Sequence, residues 1–163
     1  MELRNAEASD LAEILGIYNE VIRNSNSIYR EETANLENRT TWFDEKITAG
    51  FPILVAVEIG SVVGYGAYGQ FRPAYGYRFT VEHTIHVRSD KRGMGIGQSI
   101  LSALIERAKE AGFHAMIGAI DSENIASVKL HASNGFSEVA RLPQIAKKNG
   151  YWLTLLFMQK ILD

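Results

Sequence analysis

Arg88-Ser89-Asp90-Lys91-Arg92-Gly93-Met94-Gly95-Ile96-Gly97-Gln98 joins a strand pattern to the most regular helix pattern in the chain. Before it, Arg78–Val87 reads as a strand. After it, Ile96, Ile100, Leu101, Leu104, Ile105 and Ala108 repeat at helical spacing, predicting a helix over Gly97–Ala111 that Gly112 stops. Glycines at a strand-to-helix junction let successive N–H groups converge on one point, and the helix adds its positive end. Such a nest binds phosphate or pyrophosphate.

The common phosphate loops do not fit. A Walker loop needs Lys-Ser/Thr after its last glycine, where this chain has Gln98 and Ser99. A dinucleotide fingerprint counted from Gly93 or Gly95 meets Gln98 or Ile100 at its third glycine.

Outward from the turn, helix and strand patterns alternate. A strand near Glu2–Arg4 precedes a helix capped by Ser9 or Asp10, with Leu11, Ile14, Leu15, Tyr18, Val21 and Ile22 as its apolar positions. A second helix is expected over Leu36–Thr48. Phe51–Glu58 and Val62–Gln70 read as a hairpin joined at Ile59-Gly60-Ser61. His114–Ile120, Phe136–Arg141 and Tyr151–Ile161 read as strands, and Glu123–Asn134 as a helix, with Ile125 and Val128 toward the core. Helices mixed with hairpins imply an α/β fold with a mixed sheet.

The 163 residues fit one domain over 1–163, with 46% hydrophobic and 22% charged residues. A net charge of -2 and a pI near 6.1 exclude the basic profile of a dedicated nucleic-acid binder. There is no cysteine, so thiolate chemistry and disulfides are excluded. The polar N-terminus and the lack of a long apolar run predict a cytoplasmic protein with no membrane partner. The four histidines lack H-E-x-x-H or comparable spacing, so no metal is expected.

Arg-x-x-Gly-x-Gly, met by Arg92, Gly95 and Gly97, resembles the pyrophosphate signature of the GNAT superfamily of N-acetyltransferases. Asn124 through Phe136 resembles that family's later helix and the Gly-Phe that starts its next strand. His131, where many members have Tyr, is similar to the phosphinothricin and methionine sulfoximine acetyltransferases. So are Tyr18-Asn19, Asn38-Arg39, Gly64-Tyr65, Thr80-Val81-Glu82-His83 and Trp152-Leu153.

The resemblance implies a GNAT fold: a single mixed, mostly antiparallel twisted sheet with about four flanking helices. It implies acetyl-CoA bound by Ile85, His86, Val87, Arg92, Gly93, Met94, Gly95, Ile96, Gly97, Gln98, Asn124 and Ser127, and a homodimer. The subgroup's catalytic Glu falls on Glu82, a mid-strand carboxylate whose burial would raise its pKa toward a base's working range. His131 is the candidate general acid, or a partner of Glu82 through water. The acceptor pocket is expected to draw on Arg72, Pro73, Ala74, Glu82, His83 and Thr84, with Tyr29 and Phe71 where the subgroup has tryptophans. A guanidinium such as Arg72 suits an amino-acid carboxylate, and the Phe71–Tyr77 loop suits closing over a small acceptor. Tyr151-Trp152-Leu153-Thr154 departs from the subgroup's Arg-Trp-Leu-Asp, which bears on the acceptor. Two other functions stay open: acetylation of a protein or peptide N-terminus, and a catalytically silent acyl-CoA-binding module.

Overall fold

Seven strands form one sheet in the computed structural model, which describes all of residues 1–163. They are β1 (Glu2–Asn5), β2 (Ile53–Glu58), β3 (Ser61–Gln70), β4 (Thr80–Val87), β5 (Ala115–Asp121), β6 (Ser137–Lys148) and β7 (Tyr151–Ile161), in the order β1-β2-β3-β4-β5-β7-β6. The helices are α1 (Leu11–Asn24), α2 (Leu36–Thr48), α3 (Ile96–Glu110) and α4 (Ile125–Ser133). Only β4 and β5 pair in parallel; every other neighbouring pair is antiparallel. This is the mixed, mostly antiparallel sheet with four helices that the sequence predicts. No helix is long and apolar enough to cross a membrane.

The β2–β3 hairpin closes at Ile59-Gly60, where both residues have positive φ, +49° and +75°. That pair gives the primed two-residue turn whose twist matches the flanking strands. On one face of the sheet, all six predicted stripe residues of α3 are buried, packed with Leu54, Val63, Tyr68, Val81, Met116 and Met158. On the other face, Leu11, Ile14 and Ile17 of α1 pack on Val55, Val62, Tyr65 and Ala67.

Gly66 lets α3 approach the sheet. A Cβ there would lie 2.5 Å from Ile100 Cγ2 and 3.0 Å from Leu104 Cδ1. Overpacking a filled core costs about 1–3 kcal/mol, so Gly66→Ala is expected to lower stability by about 2 kcal/mol. A denaturant midpoint unchanged from the parent would contradict that close approach.

The structure corrects three details. Asp10 does not cap α1 with its side chain, and neither does Ser9. Instead the Asp10 carboxylate accepts from Glu7 N at 2.8 Å and pairs with Arg4 at 2.8 Å, bracing the 3-10 turn Ala8–Asp10 that leads into the helix. β6 continues to Lys148 instead of stopping near Arg141, because register breaks at Glu138/Ala140 and Leu142/Ala146 interrupt the alternation that marks a strand. Ile125, the first residue of α4, is 55% exposed and does not face the core, whereas Val128 does.

Candidate active site

The site begins where two parallel strands part. β4 and β5 pair from Thr80↔Ala115 to His83↔Gly118 and no further. Beyond that point Thr84–Val87 pairs only with β3, and Ala119–Asp121 only with β7. The gap opens into a cleft of about 1070 Å³ whose walls include Thr84–Val87, Gly118–Asp121, the α1–α2 loop residues Ser25–Tyr29, and the glycine turn.

At the far end of the cleft, Gly93 and Gly95 adopt φ of +75° and +82°, which a side chain would strain. None of the N–H groups from Gly93 to Gln98 is hydrogen-bonded within the protein. They stand at the N-terminus of α3 as an unpaired row of donors, which is what a pyrophosphate requires. Arg92 lies beside them with its Nε donating to Val87 O at 3.1 Å. The Met94 side chain is exposed and does not line the cleft, so its contribution there is its N–H. The Gln98 amide pairs with Asn134, at 2.7 and 2.8 Å, and so ties α3 to α4. Asn124 caps α4 through Ser127 N and donates to Ser27 Oγ at 3.1 Å.

Where the strands part, His83 and His131 stack with their Nε2 atoms 2.8 Å apart. Gly118 makes the room: a Cβ there would meet both imidazoles at 3.1 Å. His131 Nδ1 lies 2.7 Å from the Ser127 carbonyl and must carry a hydrogen. Its Nε2 is then the acceptor and His83 Nε2 the donor, leaving the buried His83 Nδ1 without a partner. Burial lowers the pKa of both imidazoles, that of His83 to about 3, so the pair is neutral near pH 7.

Glu82 and Thr84 point to the opposite face of the sheet, toward α2. Burial raises the Glu82 carboxyl above its ordinary range, and Lys46 and then Arg72 pull it back. His86 lies on the same face beside Tyr65, with ring centroids 5.5 Å apart. Its pKa is also lowered by burial.

Residues 3–155 match the model of the acetyltransferase (GNAT) domain. The chain belongs to the GNAT acetyltransferase family. It is 48% identical to an L-methionine sulfoximine/L-methionine sulfone acetyltransferase of Pseudomonas aeruginosa, over 99% of this chain and 94% of that one. It superimposes on yncA of Salmonella typhimurium, solved with acetyl-CoA, with TM-score 0.97 and 40% identity, over 100% of this chain and 94% of that one. A ribosomal-protein-alanine N-acetyltransferase from Brucella melitensis matches with TM-score 0.97 and 45% identity, over 99% of both chains. This GNAT chain is accordingly an N-acetyltransferase.

Of the residues expected at the GNAT site, the cleft gathers Tyr29, His83, Thr84, Ile85, His86, Val87, Arg92, Gly93, Gly95, Ile96, Gly97, Gln98, Asn124, Ser127 and His131. It does not gather Phe71, Arg72, Pro73 or Ala74. Arg72 is exposed with its guanidinium over the Phe71 ring, and Phe71 packs edge-on against Phe157. Glu82 stands just off the cleft, next to Thr84 on the same face. Sequence reading missed Gly118, Asp121 and Lys148. A glycine inside a strand signals close approach, so Gly118 was findable. Asp121 was not, since its contact with the Tyr29 hydroxyl, at 2.7 Å, spans ninety-two positions.

Proposed function

We propose that this enzyme transfers an acetyl group from acetyl-CoA to the amine of a small amino-acid-like acceptor of the methionine sulfoximine, methionine sulfone or phosphinothricin type. The carrying observation is the cleft itself, which runs from the free N–H row of Gly93–Gln98 to the gap between β4 and β5. The nest fits a pyrophosphate, and the open edge of Ile85–Val87 fits an extended amide-bearing arm. Acetyl-CoA supplies the thioester carbonyl that the amine attacks directly. Glu82 takes the proton lost by the acceptor's ammonium. The departing thiolate takes the second proton, which the nitrogen loses as the tetrahedral adduct collapses to the amide. His131, whose Nε2 lone pair accepts from His83 and whose Nδ1 hydrogen is on the Ser127 carbonyl, lines the cleft without a free proton to give. The named activity of the Pseudomonas relative supports the acceptor class, and Arg72 remains the candidate for its carboxylate.

Release of free thiol, measured across methionine sulfoximine, methionine sulfone and phosphinothricin, is expected to be saturable for at least one of them. No turnover on any would remove this acceptor class. Peptide N-terminal acetylation is a second reading, supported by the Arg72–Ala74 segment standing outside the cleft and by the name of the Brucella relative. Including N-terminal peptides in the same panel separates the two. A silent acyl-CoA-binding module would bind acetyl-CoA in calorimetry with no transfer to any amine, and the half-buried carboxyl of Glu82 weighs against it. A cytoplasmic homodimer belongs to the same proposal. Exposed Val139, Ile145, Tyr151 and Trp152 along β6 and β7 support it, and sedimentation tests the dimer.

A further inference from the structure

Lys46 crosses from α2 to the sheet at a position where a side chain is missing. Gly69 is the β3 register partner of Glu82, and a Cβ on Gly69 would lie 2.2 Å from Lys46 Nζ. The ammonium therefore occupies the space that Gly69 leaves empty. It donates to Tyr68 O at 3.2 Å and lies 5.7 Å from the Phe51 ring centre. No carboxylate forms a contact ion pair with it. The acidic groups acting on it are Glu82 on β4 and Glu45 beside it on α2. The charged groups facing Glu82 are Lys46 from α2 and Arg72 from the loop after β3. Its register partners Gly69 and Ile117 carry no charge.

A half-buried ammonium held by one carbonyl and set opposite a half-buried carboxyl is an expensive arrangement for packing alone. We propose that Lys46 is a positioning residue for Glu82: its ammonium, admitted through the space over Gly69, keeps the Glu82 carboxyl ionised and so able to take the acceptor's proton. This rests on Glu82 as the base. Without the cation, burial acts on Glu82 with only Arg72 to oppose it, and Arg72 is exposed and screened by solvent. The carboxyl then stays protonated to higher pH, and the acid limb of the rate profile follows it.

The test is the pH profile of kcat/KM for methionine sulfoximine in the full chain, read by thiol release. Lys46→Met is expected to move the acid limb up by about one pH unit, with the rate above the limb within a few-fold of the parent. Lys46→Arg keeps the cation and should leave the limb in place. Gly69→Ala displaces only the flexible tip of Lys46, so it should move the limb the same way, by less, with little change in thermal midpoint. An unmoved limb in Lys46→Met or Gly69→Ala, or a uniform fall at every pH, overturns the proposal. If Lys46→Met does not fold, Gly69→Ala decides. An active Glu82→Gln would instead sink the base assignment, whereas an inactive Glu82→Gln with an unmoved limb in Lys46→Met removes the role of Lys46 alone.

Discussion

Glu82→Gln is expected to lower kcat by about 10²–10⁴-fold, the range over which a positioned general base contributes. The substitution keeps size and polarity but removes the lone pair that accepts the acceptor's proton. Affinity for acetyl-CoA should be unchanged, because Glu82 does not line the cleft that carries the donors of the glycine turn. Stability should stay within about 1 kcal/mol of the parent. Burial raises the folded-state pKa of Glu82, so the fold binds that proton more tightly than the unfolded chain does. The ionised carboxylate thus costs stability above its folded pKa, and the neutral amide carries no such cost. The parent's rate should fall as pH drops through the raised Glu82 pKa, above the roughly 4.3 of a free glutamate. In the variant that limb should disappear. A full rate in Glu82→Gln, or an intact acid limb, would move the base elsewhere.

Local periodicity made the scaffold legible. The α3 stripe is buried residue for residue, and the glycine turn is a row of free donors at a helix start. β7 runs over Tyr151–Ile161 as its pattern indicates. What the pattern could not carry is contact between distant positions. The divergence after His83 and Gly118 depends on two strands thirty-five positions apart, each locally regular. Alternation along β4 put Glu82 and His83 on opposite faces, but it gave no distance from either to His131 or Lys46. The Arg72–Ala74 segment was expected in the pocket from resemblance. Its outward placement follows from Arg72 stacking on Phe71 and Phe71 packing against Phe157. The burial of Lys148 was not legible either, since a lysine gives no local sign of being buried.

Lys148 is 2% exposed, and its ammonium donates to Ile22 O at 2.9 Å, Ser25 O at 2.7 Å and Ile28 O at 2.8 Å. All three of its donors are used. Ile22 O is among the carbonyls that the end of α1 leaves unpaired, and a cation suits the negative end of a helix. Ser25 and Ile28 belong to the loop that walls the cleft. That loop is tied from its other side by Tyr29 to Asp121 and by Asn124 to Ser27. Lys148→Met keeps the stem's packing and strands three carbonyls. Each unsatisfied buried acceptor costs about 1–3 kcal/mol, lessened where the loop relaxes into water. A loss of about 3 kcal/mol is therefore expected, a drop in thermal midpoint of about 10 °C for a chain this long. With one wall released, KM for acetyl-CoA and for the acceptor should both rise by about ten-fold, while kcat falls less because Glu82 and the histidine pair are untouched. A midpoint within 2 °C of the parent, by the same about 2–4 °C per kcal/mol relation, would mean that the ammonium holds nothing. A lowered midpoint with unchanged KM values would confine Lys148 to the end of α1 and leave the loop held by Asp121 and Asn124.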